Sequence, residues 1–258
     1  METGKEHRVR VIAIIPARYE SNRFRGKPLA LINGKPMIQH VVERAQAVEL
    51  LSRVVVATDD QRIADCVASF GGEYVLTRDD HVSGSDRLAE AAELLDISEH
   101  DVVVNIQGDQ PLFAPEIVEQ VAGPLLEDPS LPMSTLIYKI IRPEEIDDPN
   151  HVKTVFDHEM NALYFSRAPV PFQRNPEDEH SPTYYKHLGF YAYRKGFLLT
   201  FVALPEGEWE RFEKLEQLRA LEYGYRIKVV QTDHDSIEVD TEEDLKRVEE
   251  FIISRGIE

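Results

Sequence analysis

Residues 11–36 read V-I-A-I-I-P-A-R-Y-E-S-N-R-F-R-G-K-P-L-A-L-I-N-G-K-P, and their reading decides the fold. Val11–Ile15 is an unbroken apolar run that stops at Pro16. A loop follows with Arg18, Arg23, Arg25 and Lys27 around Gly26, and a helical pattern opens near Pro36. A short, continuous apolar run bounded in this way reads as a strand buried on both faces. A strand that empties into a cationic loop puts positive charge at the carboxyl edge of a sheet, where open α/β folds hold their ligands. The chain carries 47 acids against 29 Lys and Arg, for a net charge of −18. Four cations in one short loop therefore point to an anionic ligand of high charge, most simply a nucleoside triphosphate. The plain alternative is a solvated basic loop. The loop is neither of the common phosphate motifs: Ser21 and Pro28 stand where a Walker loop needs Gly and Ser or Thr, and the dinucleotide glycine fingerprint is absent.

Outward from this stretch, the apolar runs Val54–Ala57 and Val102–Ile106 alternate with helical patterns at about 36–49, 60–69 and 85–95. That is the βαβ rhythm of a parallel sheet with helices on both faces, and ligand groups are expected on the strand ends A-T-D-D at 57–60 and N-I-Q-G-D-Q-P at 105–111. From Met133 the rhythm changes. Met133–Ile141, Val152–Phe156, Ala162–Ser166 and Leu188–Tyr193 read as strands with turns between them, an antiparallel insertion. The charged, Pro-containing loop 173–183 is expected to move without ligand. A helix over about 209–223, a strand Ile227–Val230 and a last helix opened by Thr241 complete one domain. Within residues 1–258 we expect a nucleotide-binding core at 9–132, the insertion at 133–205 and a return to the core at 206–258.

Composition excludes several classes. At 258 residues with 42% apolar side chains, the chain can bury a substantial core. The acidic balance argues against nucleic acid or an anionic membrane as partner. No apolar run is long enough to span a bilayer, and M-E-T-G-K-E-H-R does not read as a signal peptide. The single cysteine, Cys66, rules out an internal disulfide and fits the cytoplasm; on a helical stretch it reads as a structural thiol.

Two acids stand out for chemistry. Asp109 follows the most apolar strand, and Asp240 precedes the last helix, so both can reach the edge that carries the cationic loop. Two such carboxylates could hold Mg²⁺, which favours oxygen ligands. A turn acid at 109 and a residue beside the Thr241 cap are the ordinary alternatives, and Asp59 and Asp60 compete as ligands with the same local logic.

The motif P-A-R-Y-x-S-x-R-x-x-G-K-P-L resembles the signature of cytidylyltransferases that activate 3-deoxy-manno-octulosonate (Kdo), the CMP-Kdo synthetases. H-V-S-G-S-D-R at 81–87, N-I-Q-G-D-Q-P-L, Y-F-S-R-A-P-V-P at 164–171, Y-K-H-L-G-F-Y-A-Y at 185–193, E-K-L-E-Q-L-R-A-L at 213–221 and V-D-T-E-E-D-L resemble further blocks of that family, in its order, from about Ile12 to Leu245. The resemblance implies a Rossmann-like fold of the nucleotide-diphospho-sugar transferase type and a Mg²⁺-dependent homodimer. The implied reaction is CTP plus Kdo giving CMP-Kdo and pyrophosphate, for lipopolysaccharide biosynthesis. It implies Lys27, Arg18 and Asp109 as catalytic, Asp109 and Asp240 as metal ligands, and a nucleotide set of Pro16, Ala17, Arg18, Arg23, Lys27, Thr58, Asp59, Ser83, Ser85, Arg87 and Gln107. For the sugar acid it implies Gln107, Arg167, His187, Tyr191, Glu216 and Gln217, groups able to pair a carboxylate or read hydroxyls.

The sequence departs from the family at Gln110, where Glu is usual, at Arg25, where Pro is usual, and in D-S-I-E-V-D before Asp240. These departures make the 8-amino analogue of Kdo the alternative substrate. From the residues themselves, a nucleotide-sugar binding module without turnover stays open. So does a nicotinamide oxidoreductase, which the missing glycine fingerprint disfavours.

Overall fold

The structure is a computed structural model that describes residues 9–20, 24–175, 177 and 181–255. In chain order the strands and helices are β1 (Val11–Ala17), β2 (Leu31–Ile32), β3 (Lys35–Pro36), α1 (Met37–Gln46), β4 (Arg53–Thr58), α2 (Gln61–Ser69), β5 (Glu73–Leu76), α3 (Gly84–Leu94), β6 (Val102–Asn105) and α4 (Glu116–Glu127). The second half adds β7 (Met133–Lys139), α5 (Glu144–Asp147), β8 (Lys153–Phe156), β9 (Ala162–Ser166), β10 (Tyr185–Arg194), α6 (Lys195–Ala203), α7 (Glu208–Glu213), α8 (Gln217–Glu222), β11 (Ile227–Thr232) and α9 (Glu242–Arg255).

β1 lies inside the main sheet, whose order is β11-β7-β10-β6-β1-β4-β5. It pairs in parallel with β4 and β6, and β4 pairs in parallel with β5. Its apolar run is continuous because both faces are covered. Val11, Ala13 and Ile15 pack with α1, α2 and α4, while Ile12 and Ile14 pack with α3, α6 and α8. Each fully buried Val, Leu or Ile contributes about 1.5–3 kcal/mol, so these two layers supply most of the apolar stabilisation. Cys66 on α2 is half-buried, and burial pushes its thiol pKa up, as fits a structural residue.

The change of rhythm after Met133 is present, with a different architecture from a separate sheet. β10 is antiparallel to both β6 and β7 inside the main sheet, β11 runs parallel to β7, and the antiparallel pair β8–β9 hangs from β10. β10 starts earlier than the apolar pattern predicts and carries an irregularity between His187 and Tyr191. There Gly189 takes φ +72°, a conformation that strains any residue with a Cβ. The loop expected to move, 173–183, lies partly outside the described residues. The helix expected over 209–223 is two helices, α7 and α8, broken at Lys214, which has φ +53°.

A third, smaller core closes the chain on itself. Val248 and Ile252 of α9 pack with Val239, Ile32 and Met37, so the last helix sits on the β2–β3 hairpin that follows the cationic loop. Asp240 is thereby returned to the carboxyl end of β1.

Candidate active site

Three chain segments meet at that edge, and each is bent by a local device. After β1, Gly26 takes φ +71° and its N–H donates to the Tyr19 carbonyl at 2.8 Å; a Cβ there would stand 3.0 Å from the Tyr19 ring. This tight turn starts a short 3-10 helix, Lys27–Leu29, with Pro28 buried beneath it. After β6, a Cβ on Gly108 would lie 3.1 Å from the Pro16 carbonyl, a tight contact that glycine avoids where the two strand ends run close. Before α9, Val239 is fully buried and its N–H donates to the Asp109 carbonyl at 2.9 Å, which ties the two acid-bearing segments together.

Lys27 occupies the centre of this meeting. Its Nζ donates to Asp109 Oδ2 at 2.7 Å and to Asp240 Oδ1 at 3.3 Å, which keeps those carboxylate oxygens within about 6 Å of each other by the sum of the two contacts. Glu238 stands alongside, accepting from Gln110 Nε2 at 3.0 Å. Desolvation, with the Asp109 and Asp240 carboxylates adding to it, pushes Glu238 up to about 7. Three acids around one ammonium leave the site short of positive charge. Its donors are hard carboxylate oxygens of the kind Mg²⁺ takes, and among the described residues no group of three or more His, Cys, Asp or Glu is arranged to enclose a metal. Two aspartates, with water and phosphate oxygens completing the shell, suit that ion.

A cleft of about 250 Å³ opens over the cluster. Pro16, Ala17, Arg18, Lys27, Ser83, Arg87, Gln107, Asp109 and Asp240 line it, joined by Pro28, His81, Val82, Gly84 and Gly108. Arg18 is exposed, and among the described residues it has no hydrogen-bonding or ion-pair partner. Ser83 caps α3: its hydroxyl accepts from the Asp86 N–H at 3.1 Å, and Asp86 accepts from the Ser83 N–H at 3.0 Å. An 11-residue helix therefore presents its amino end to the cleft, a favourable place for negative charge.

Other members of the implied nucleotide set stand back from it. Thr58 is fully buried and its hydroxyl accepts from the Asp60 N–H. Asp59 accepts from the buried Arg87 at 2.9 Å, and Asp60 caps α2 and pairs with Arg62. Asp59 and Asp60, the competing metal candidates of the sequence, both face arginine. Ser85 is buried and donates to Glu216 at 2.6 Å. Arg25, expected near the phosphates, does not line the cleft and pairs instead with the exposed Glu20 at 2.8 Å. Arg23 lies outside the described residues.

The implied sugar residues gather on the α3–α8 side. Ser85 donates to Glu216, whose pKa is raised by burial, while the hydroxyl of Ser83, which lines the cleft, donates to Asp86 at 3.0 Å. Glu216 Oε1 and the neighbouring Gln217 Nε2 are buried without a hydrogen-bond partner. His187 hydrogen-bonds with Thr135 at 2.9 Å between the rings of Phe165 and Tyr191, and burial lowers its pKa to about 3. The Tyr191 hydroxyl is pushed well up by burial. Arg167 donates to the carbonyls of Glu213, Pro149 and Lys214. Sequence reasoning noted Gln110 without its contacts and missed Glu238 altogether; the run of acids E-V-D at 238–240 was the available signal.

The sequence pattern of the family described as Cytidylyltransferase matches residues 12–243. A 3-deoxy-manno-octulosonate cytidylyltransferase from Syntrophus aciditrophicus is 59% identical over 247 residues, covering 96% of this chain and 99% of the relative. An 8-amino-3,8-dideoxy-manno-octulosonate cytidylyltransferase from Shewanella oneidensis is 53% identical over 241 residues, covering 93% and 97%. A solved structure of CMP:2-keto-3-deoxy-manno-octonic acid synthetase complexed with CTP superposes with a TM-score of 0.89 at 42% identity, covering 95% of this chain and 99% of that one. A match that runs through all three site-forming segments, on a fold shared nearly end to end with such a synthetase, shows that the chain belongs to the cytidylyltransferase family.

Proposed function

We infer that the chain transfers the cytidylyl group of CTP to the anomeric hydroxyl of Kdo, giving CMP-Kdo and pyrophosphate. The observation that carries this reading is Lys27 held between Asp109 and Asp240 on the floor of a cleft whose wall supplies Arg18 and a helix amino end. Such an arrangement suits a polyphosphate. The anomeric oxygen attacks the α-phosphorus as its proton passes to water, a new P–O bond forms, and the bond from the α-phosphorus to the bridging oxygen breaks with pyrophosphate carrying away the electron pair. Chemistry of this kind is accelerated by positioning and charge neutralisation, and it needs no protein nucleophile. Lys27 and Arg18 bind the triphosphate and hold the charge that grows on the leaving pyrophosphate. Glu216 and Gln217 bring a buried acceptor and a buried donor to sugar hydroxyls, while neutral His187 accepts or donates one hydrogen bond without adding charge.

The site fits Mg²⁺ on Asp109 and Asp240, and that ion when bound would neutralise phosphate charge and acidify the attacking hydroxyl. We propose further that the protein acts in the cytoplasm as a homodimer. The single cysteine supports the first. The second is supported by Leu163 on β9 with Trp209 and Phe212 on α7, neighbouring elements whose large apolar side chains are 59%, 45% and 78% exposed.

The test is pyrophosphate release with four nucleoside triphosphates and both sugar acids. Kdo with CTP should be the productive pair, and Asp109→Asn should lower turnover by orders of magnitude while the melting temperature holds. Near-normal turnover of that variant removes Asp109 from the role. The 8-amino acid is the second reading, supported by relatives of that name at 53% identity, and faster turnover of it than of Kdo would establish it.

A further inference from the structure

The break between α7 and α8 has no glycine or proline to make it: Lys214 itself takes the left-handed conformation, φ +53° and ψ +47°. Ending α7 there frees the carbonyls of Glu213 and Lys214, groups that need a donor away from water. Arg167, two residues along from Phe165 at the end of β9, supplies it. Its Nε donates to the Glu213 carbonyl at 2.6 Å, Nη2 to the Lys214 carbonyl at 3.3 Å and Nη1 to the Pro149 carbonyl at 2.9 Å. The contact is reciprocal, because the Glu213 carboxylate accepts from the Arg167 N–H at 2.9 Å and from the Ser166 hydroxyl at 3.1 Å. Two residues beyond the break, Glu216 stands at the N-cap of α8 beside Ser85, its Oε1 3.8 Å from Arg219, and it and Gln217 each hold one buried side-chain atom without a hydrogen-bond partner.

We propose that Arg167 is a positioning residue, which fixes the α7–α8 break and thereby aims Glu216 and Gln217, and that it does not itself bind the sugar carboxylate. The proposal rests on the cytidylyltransferase reading for its kinetic consequence and on the carbonyl contacts for its structural one. A planar guanidinium can serve three carbonyls on two segments, 149 and 213–214, whereas the compact ammonium of a lysine cannot span them.

Arg167→Lys and Glu213→Gln, singly and together, test it in the full-length chain. Each single variant should raise the KM for the sugar acid about tenfold with the KM for CTP within twofold, and the double variant should be no worse than the more affected single. Hydrogen exchange at the amides of residues 215–219 should quicken in both, with protection elsewhere unchanged. A normal sugar KM in Glu213→Gln beside a raised one in Arg167→Lys would overturn the proposal in favour of direct contact. A joint rise of both KM values with a lowered melting temperature would reduce it to general stability. If the wild type shows no turnover, the functional reading fails, and exchange at 215–219 still decides the clamp: unaltered protection in Arg167→Lys overturns it.

Discussion

Replacing Lys27 by Met probes the site at its centre. The substitution keeps an apolar stem of similar length and deletes the ammonium 2.7 Å from Asp109 and 3.3 Å from Asp240. Unit charges at about 4 Å interact by about 4 kcal/mol at an effective dielectric of about 20, and by about 1 kcal/mol in water. Side-chain exposures of 15%, 26% and 29% place these pairs between the two limits, and desolvation cancels part of the gain. A net stability loss of about 1–2 kcal/mol follows for the protein without ligand. The response to divalent cations moves the other way. In the wild type a Mg²⁺ ion competes with the ammonium for the same two carboxylates, and in the variant it does not. Millimolar Mg²⁺ therefore raises the melting temperature of the variant more than that of the wild type, since stabilisation by a ligand grows with its concentration over Kd. Turnover falls nonetheless, by about 10²–10³, the usual cost of removing one preorganised partner of developing charge. Thermal melts across a Mg²⁺ titration, paired with pyrophosphate release, measure all three effects. Equal Mg²⁺ shifts in the two proteins, or turnover within about threefold of wild type, would refute the reasoning.

Acid should destabilise the fold through His187. Its folded pKa of about 3 lies below the unfolded value of about 6.5, so the unfolded chain binds the extra proton and stability is lost as pH falls from about 6.5 toward 3. Because the ring keeps some contact with solvent, about 2 kcal/mol at pH 5 is the ceiling, and His187→Gln should flatten that part of a denaturation-versus-pH curve. Asp59→Asn should cost about 3 kcal/mol by leaving the 4%-exposed Arg87 without its carboxylate. It should also weaken CTP binding, since Arg87 lines the cleft; calorimetry and a CTP titration check the pair, and an unchanged melting temperature counts against it.

What could be read from the sequence follows from where each signal is stored. β1, β4 and β6 were legible because burial on two faces writes itself as an unbroken apolar run. The helices α4 and α6 were not anticipated. Gly123 and Pro124 punctuate α4 like a turn, and K-G-F-L-L-T-F-V-A in α6 is apolar nearly all round, so neither shows a clear stripe. The α7–α8 break was invisible because residues 208–222 carry good helix formers and the device that ends α7 is Arg167, more than forty positions earlier. Local pattern gave Asp59, Asp60, Asp109 and Asp240 equal standing. The difference is relational: two face arginines, and two share a lysine.

That the decisive contacts are long-range has a consequence for how the site persists. Lys27 meets Asp109 across 82 positions and Asp240 across 213, and Glu238 meets Gln110 across 128. The bonds to Asp240 and Glu238 cannot form before the chain's end has folded back onto the sheet edge, which is the work of the small core of Ile32, Met37, Val239, Val248 and Ile252. That core is far smaller than the two that flank the sheet. Segments with few buried apolar contacts open at lower free energy than the rest of a domain. Fraying of α9 would therefore withdraw Asp240 and leave the sheet, Lys27 and Asp109 in place. A ligand bridging all three segments binds only the closed form, so it stabilises the last helix by mass action and the polyphosphate completes the structure that binds it.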